Sequence, residues 1–187
     1  MNIPENGKYQ WLPILYSMVE YLKPKKIVEF GPGRGSTTIT IATALKDNNI
    51  DGKINSYDLW VDEYWGDYEK TLKEYRKWGV YDYINLQEKD FYEWIETDEH
   101  FDFLYFDIDN NGDKILDLYE KTKYKIEEGS VIMFEGGSVE RDNHGIIIPG
   151  AKKMNDVKNI VDYGVLTDNI KYSVSIIYNK NLYNLKY

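Results

Sequence analysis

At 187 residues, with 42% hydrophobic and 29% charged residues, the chain has the size and balance of one folded α/β domain, and 16% aromatic residues exclude a disordered composition. A formal charge of −9 opposes the phosphates of nucleic acid, so no nucleic-acid partner is expected and a small molecule is the favoured ligand. With no cysteine, no run of about 18 apolar residues and no basic-then-apolar start, the chain reads as a soluble cytoplasmic protein without disulfides, thiolate metal sites or a membrane partner.

The first predicted element is a helix over 10–22, because Leu12, Leu15, Tyr16, Val19 and Leu22 recur at helical spacing and Lys23-Pro24-Lys25 ends the pattern. Residues 1–25 thus place an N-terminal helix ahead of the core. Ile27 to Phe30 read as a buried strand running into Gly31, Gly33 and Gly35, then into Ser36, Thr37, Thr38 and an apolar helical pattern that reaches Leu45. Such a turn permits positive φ and brings backbone N–H groups close to a ligand at a helix N-terminus. Spacing separates the ligand classes. The dinucleotide fingerprint G-x-G-x-x-G needs its third glycine where Ser36 stands. The chain has G-x-G-x-G instead, with Glu29 two residues ahead, an acid that would repel a pyrophosphate and suits a ligand carrying an ammonium group. A tight turn without any ligand is the plain alternative.

At these residues the chain resembles the class I S-adenosylmethionine-dependent methyltransferases, whose first motif is an acid followed by G-x-G-x-G. The resemblance implies a Rossmann-like, doubly wound α/β sheet of about seven strands, mostly parallel with a C-terminal antiparallel hairpin, in a single domain over 1–187. It also implies S-adenosylmethionine at Glu29, Gly31, Gly33, Gly35 and Ser36.

The following elements continue that plan. After a turn at 47–52, Lys53 to Tyr57 read as a second strand ending at Asp58, about twenty residues past the glycines, where an acid accepts hydrogen bonds from both ribose hydroxyls. Asp62 and Glu63 are its nearby rivals. Leu59 and Trp60 either cover the adenine ring or join the core. Tyr68 to Trp78 read as an amphipathic crossover helix ended by Gly79, and Tyr83 to Gln87 as a third strand. Asp90 and Phe91 come next. The resemblance gives an acid here to the adenine amine and its neighbour to the ring, while Asp90 equally suits the N-cap of a helix over 91–95.

Phe101 to Phe106 are the strongest strand signal, expected in the middle of a parallel sheet, and they end in Asp107 at the ligand edge. The resemblance makes Asp107 the acid closest to the transferred methyl. Asp107, Asp109, Asn111 and Gly112 also copy half of an EF-hand loop, but Leu118 stands where a bidentate Glu is required and a strand precedes the loop. Asp107, Asp109 and Glu135 remain a candidate oxygen set for Mg²⁺. Lys114 to Tyr124 predict a helix, Glu127-Glu128-Gly129 a turn, and Ser130 to Phe134 a fifth strand. Glu135 to Gly145 then read as a polar loop at the ligand edge, and 146–149 as a lid or short strand. Met154 to Val161 read as a helix. Tyr163 to Thr167 and Tyr172 to Tyr178 form a hairpin turning around Asp168-Asn169.

Within the resembled class the chain is similar to small O-methyltransferases acting on sugars or other secondary metabolites. It lacks the Asp/Asn-Pro-Pro-aromatic motif of DNA amino-group methyltransferases, having Asp107-Ile108-Asp109-Asn110 in that place. The cofactor's methyl is already activated, so the protein must align a nucleophile, exclude water and remove a hydroxyl proton. Candidate bases are Asp107, with or without a metal, and His144 in the edge loop; His100 is expected on the surface. The other readings are a non-catalytic Rossmann-like nucleotide-binding protein and an NAD-dependent oxidoreductase, the second opposed by Ser36. No oligomeric interface is read from the sequence.

Overall fold

Residues 2–4, 9–61, 64, 66–109, 111–144, 148–167 and 172–177 are described by a computed structural model. They fall into two compact units, Met1–Thr97 and Asp98–Tyr187. The first contains α1 (Leu12–Leu22), β1 (Lys26–Phe30), α2 (Ser36–Asp47), β2 (Lys53–Asp58), α3 (Tyr68–Lys77), a 3-10 turn (Tyr81–Tyr83), β3 (Ile84–Glu88) and α4 (Phe91–Ile95). The second contains β4 (Phe101–Phe106), α5 (Gly112–Thr122), β5 (Ile126–Glu135), α6 (Val139–His144), a 3-10 turn (Met154–Val157), α7 (Lys158–Val161), β6 (Tyr163–Val165) and β7 (Val174–Ile177). The strand order is β3-β2-β1-β4-β5-β7-β6, a seven-stranded, Rossmann-like α/β fold. β1–β2, β2–β3 and β4–β5 pair in parallel, while β7 runs antiparallel to both β5 and β6.

In the first unit α1 stops where Lys23 turns left-handed at φ 50°, its N–H on the Val19 carbonyl, and Pro24 forbids a further turn. α2 is buried from Thr37 to Leu45, through small and branched residues of which Thr37, Thr38, Thr40 and Thr43 carry hydroxyls. It packs against α1, and Tyr16 Oη donates to Asp47 Oδ2 at 3.1 Å. α3 is amphipathic: Asp67 caps it by accepting from the Lys70 N–H at 2.9 Å, and Gly79, at φ 65°, ends it.

In the second unit β4 is interior. Phe101, Phe103, Leu104 and Phe106 are fully buried, each stabilising the fold by about 1.5–3 kcal/mol relative to exposure. β5 begins earlier than predicted and runs through the expected turn at 127–129, which is a correction; the pairing with β4 shifts register there. Ile126 pairs with Phe101 and Val131 with Phe103, an irregularity in the ladder near Gly129, whose φ is 87°. α5 starts at Gly112 with Asn111 as its cap, accepting from the Lys114 N–H at 3.0 Å; a helix beginning inside the EF-hand-like stretch removes that reading.

The expected loop over 135–145 is a correction. Residues 139–144 form α6, with the Ser138 hydroxyl accepting the Arg141 N–H at 3.0 Å. Ile148 and Pro149 lie in no strand, and 145–147, Asp62, Glu63, Tyr178 and the Asp168-Asn169 turn lie outside the described residues. Among the described residues no helix is long and apolar enough to cross a membrane.

Candidate functional site

The glycine turn in the first unit is a backbone cradle. Gly33 has φ 51° and Gly35 φ 85°, a region costly for side chains, and a Cβ on Gly35 would stand 2.6 Å from the Tyr75 ring. Gly35 is the N-cap of α2 and among the described residues no side chain caps that helix, so its first N–H groups are offered to a ligand. Gly31, Gly33 and Ser36 are half-buried at this turn and Gly35 is buried.

Glu29 does not present its carboxylate to a ligand. It is 0% exposed and accepts hydrogen bonds from Thr37 Oγ1 at 2.5 Å, Thr38 Oγ1 at 2.6 Å and Ser56 Oγ at 2.7 Å. Tyr75 Oη extends the network by donating to Thr38 Oγ1 at 2.9 Å. The acid therefore ties the start of α2 to β2 beneath the turn, which corrects the expectation that it meets an ammonium group. Burial pushes its carboxyl above the ordinary 4.5, the three hydroxyls pulling back and Asp58 adding to the rise. A carboxyl that holds its proton more tightly when folded contributes stability that is complete below about pH 4.5 and is lost as pH rises through the folded value. Thermal melts at a series of pH values should thus show wild type losing Tm relative to Glu29→Gln as pH rises; parallel curves would contradict the assignment.

Asp58 ends β2 as expected, half-buried. Its Oδ1 accepts from the Leu59 and Trp60 N–H groups at 2.8 and 3.0 Å, and its Oδ2 from the Gly33 N–H at 3.2 Å. A carboxylate offers about four acceptor positions, so these three bonds leave room for one ribose hydroxyl and not for the expected two. Leu59 is 39% exposed. Trp60, left-handed at φ 45°, meets the Tyr68 ring edge-on, and its buried Nε1 has no hydrogen-bond partner among the described residues.

Asp90 is the N-cap of α4, accepting from the Tyr92 N–H at 2.7 Å. Phe91 is 1% exposed and packed against Phe30, Tyr92 and Trp94, so no ring face is open to a ligand; this corrects its placement against adenine.

In the second unit, Asp107 is half-buried just beyond β4 and Glu135, 3% exposed, ends β5. Glu135 Oε1 accepts from Arg141 Nε at 2.7 Å. Asp109 is exposed, left-handed at φ 44°. The expected Mg²⁺ set of Asp107, Asp109 and Glu135 is not assembled. Among the described residues no three His, Asp or Glu side chains converge on a metal position, and Glu135 already faces a guanidinium. His144 is exposed at the end of α6, with Nδ1 2.9 Å from the Glu140 carbonyl and 3.2 Å from Glu140 Oε2. His100 lies on the surface as expected, Nδ1 3.3 Å from the Lys125 carbonyl.

A family model described as "Methyltransferase domain" matches residues 28–135, more than half of the chain. The chain belongs to this methyltransferase family. Among solved structures it is similar to an O-methyltransferase from Bacillus cereus in complex with S-adenosylhomocysteine, at a TM-score of 0.68 and 14% identity over 95% of this chain and 85% of that one. It is also similar to the O-methyltransferase of tomaymycin synthesis from Streptomyces achromogenes in complex with S-adenosylmethionine (0.66, 13%, 90% and 79%). A methyltransferase from Geobacter sulfurreducens is a third (0.65, 18%, 95% and 81%). At these identities the likeness is one of fold. No curated protein matches the chain by sequence.

Two parts of this methyltransferase were missed in the sequence. Thr71 and Tyr75 of α3 reach the glycine turn, Thr71 Oγ1 donating to the Gly33 carbonyl at 2.7 Å. Their signal is one turn of helix, Thr71 and Tyr75 being four residues apart on one face. Arg141 has no such signal, because its link to Glu135 depends on α6.

Proposed function

We propose that the chain transfers the methyl group of S-adenosylmethionine to a hydroxyl of a small molecule, such as a sugar or other secondary metabolite, as a single cytoplasmic methyltransferase domain. The observation that carries the reading is the left-handed G-x-G-x-G turn, with an uncapped α2 N-terminus and the Asp58 carboxylate bound to the Gly33 N–H. The turn's N–H groups suit the carboxylate end of such a cofactor, and Asp58 suits one ribose hydroxyl. The family match runs from 28 to 135 without regard to the boundary between the two units, which supports one domain.

When bound, the cofactor supplies an already activated methyl. The residues of the chain must then hold the acceptor and take its hydroxyl proton, and we assign the proton to Asp107. His144 is the weaker candidate, its Nδ1 being turned back onto Glu140.

Calorimetry separates this reading from the nucleotide-binding and NAD-dependent ones. S-adenosylhomocysteine and S-adenosylmethionine should both bind saturably and NAD should not, and crystals grown with S-adenosylhomocysteine should show Asp58 on the ribose. Binding of NAD without S-adenosylhomocysteine would reject the proposal.

A further inference from the structure

Of the ten residues of α3 only Thr71 and Tyr75 are buried, at 2% and 0% exposure, one helical turn apart on a single face. What that face meets is the glycine turn. The Tyr75 ring lies 2.6 Å from where a Cβ on Gly35 would stand, and its hydroxyl donates to Thr38 Oγ1 in the first turn of α2 at 2.9 Å. Thr71 Oγ1 donates to the Gly33 carbonyl at 2.7 Å. The chain just ahead of α3 is close as well, since a Cβ on Gly66 would collide with that same carbonyl.

The direction of the Thr71 hydroxyl is the telling feature. A helical threonine can turn its hydroxyl back onto the carbonyl four residues earlier in its own helix. Thr40 does so onto Ser36 at 2.8 Å, and Thr122 onto Leu118 at 2.7 Å. Thr71 instead sends its hydroxyl out of the helix to a residue 38 positions earlier in the chain. A peptide unit is planar, so holding the Gly33 carbonyl also sets the direction of the Arg34 N–H on the other edge of the same plane. The preceding peptide is set by the Gly33 N–H on Asp58 Oδ2 at 3.2 Å. The two planes that meet at Gly33 are thus fixed from two elements, the end of β2 and the middle of α3. A glycine at φ 51° is otherwise free to turn either of them.

We propose that Thr71 is a positioning residue for cofactor binding, its hydroxyl holding the Gly33 peptide in the orientation in which the glycine turn receives S-adenosylmethionine. The proposal rests on the methyl-transfer reading and adds to it a residue that acts through the turn. Without the hydroxyl the carbonyl loses its donor and the peptide samples other orientations. The apparent affinity then falls with the fraction of turns still correctly set.

The test is calorimetry with S-adenosylhomocysteine on full-length wild type, Thr71→Val, Thr71→Ala, Thr71→Ser and Tyr16→Phe, each well below its Tm. Thr71→Val keeps the shape of the side chain without its hydroxyl, and Thr71→Ala, the better helix former, replaces it if valine does not fold. Both should bind about tenfold more weakly than wild type, while Thr71→Ser, which retains the hydroxyl, should stay within about twofold. Tyr16→Phe removes a hydrogen bond to Asp47 at the far end of α2, so it should lower Tm and leave affinity unchanged. Wild-type affinity in a folded Thr71→Val or Thr71→Ala protein, no recovery in Thr71→Ser, or an equal loss in Tyr16→Phe would each overturn the proposal. Exchange of the Gly33 amide proton, read by NMR on the same unliganded proteins, separates this outcome from failure of the cofactor reading. If wild type itself does not bind S-adenosylhomocysteine the cofactor reading falls; exchange about tenfold faster in Thr71→Val would still keep Thr71 as the holder of the turn, and equal rates would remove it.

Discussion

Gly33→Val should abolish binding of S-adenosylhomocysteine, a loss of more than about 100-fold by calorimetry. Three constraints meet at this residue. Its φ of 51° is left-handed, which costs an L-residue roughly 1–2 kcal/mol before any contact is counted, and more for a β-branched one. Its N–H and carbonyl are both committed, to Asp58 Oδ2 and to Thr71 Oγ1. Gly66 is packed so closely on it that a Cβ there would lie 3.1 Å from Gly33 Cα. A valine strains the backbone whose N–H and carbonyl hold Asp58 and Thr71, and the cradle is lost as the turn moves off them. Gly33→Ala, strained but smaller, should retain part of the affinity. Wild-type affinity in a folded Gly33→Val protein would remove the cradle from the binding site.

The second large effect concerns proton removal. With an acceptor in hand, Asp107→Asn should lower kcat by about 10²- to 10⁴-fold, the usual contribution of a positioned base, while leaving S-adenosylhomocysteine affinity unchanged. Asparagine keeps the shape and the hydrogen-bonding reach of the side chain but cannot take the proton. His144→Ala should stay near the wild-type rate, since that side chain is 57% exposed and paired along its own helix with Glu140. The reverse pattern, an active Asp107→Asn and an inactive His144→Ala, would transfer the role to the histidine.

The strands were legible because their signals are local. Phe101–Phe106 formed as read, an aromatic-rich run broken by Asp102 and buried at the other five positions. The glycine turn and Asp58 were legible through spacing, and α4 through its cap. What sequence could not give was what each polar side chain would meet. Glu29 looks like an acid aimed at a ligand until hydroxyls from Thr37, Thr38 and Ser56, on two other elements, close around it. Phe91 looks like a platform until Phe30 and Trp94 enclose it. α6 was missed because Val-Glu-Arg-Asp-Asn-His has no apolar period; Ser138 and the Asp142 bonds to 154–155 hold it, and those are tertiary facts. The Mg²⁺ expectation failed for the same reason, since it counted the carboxylates and not the arginine that a short helix returns to them.

The strand order of the second unit also bears on the ribosome. β5 pairs on its outer side with β7, and β7 in turn carries β6, although β6 precedes β7 in the chain. β6 therefore emerges with no partner to join, and the apolar run from Val131 to Phe134 keeps one row of backbone N–H and C=O groups unpaired until Val174–Ile177 has been synthesised. At 5–20 residues per second, the roughly 40 intervening residues keep that edge open for about 2–8 s. An open apolar edge is a template for pairing with a neighbouring chain, and it is β7 that closes this one.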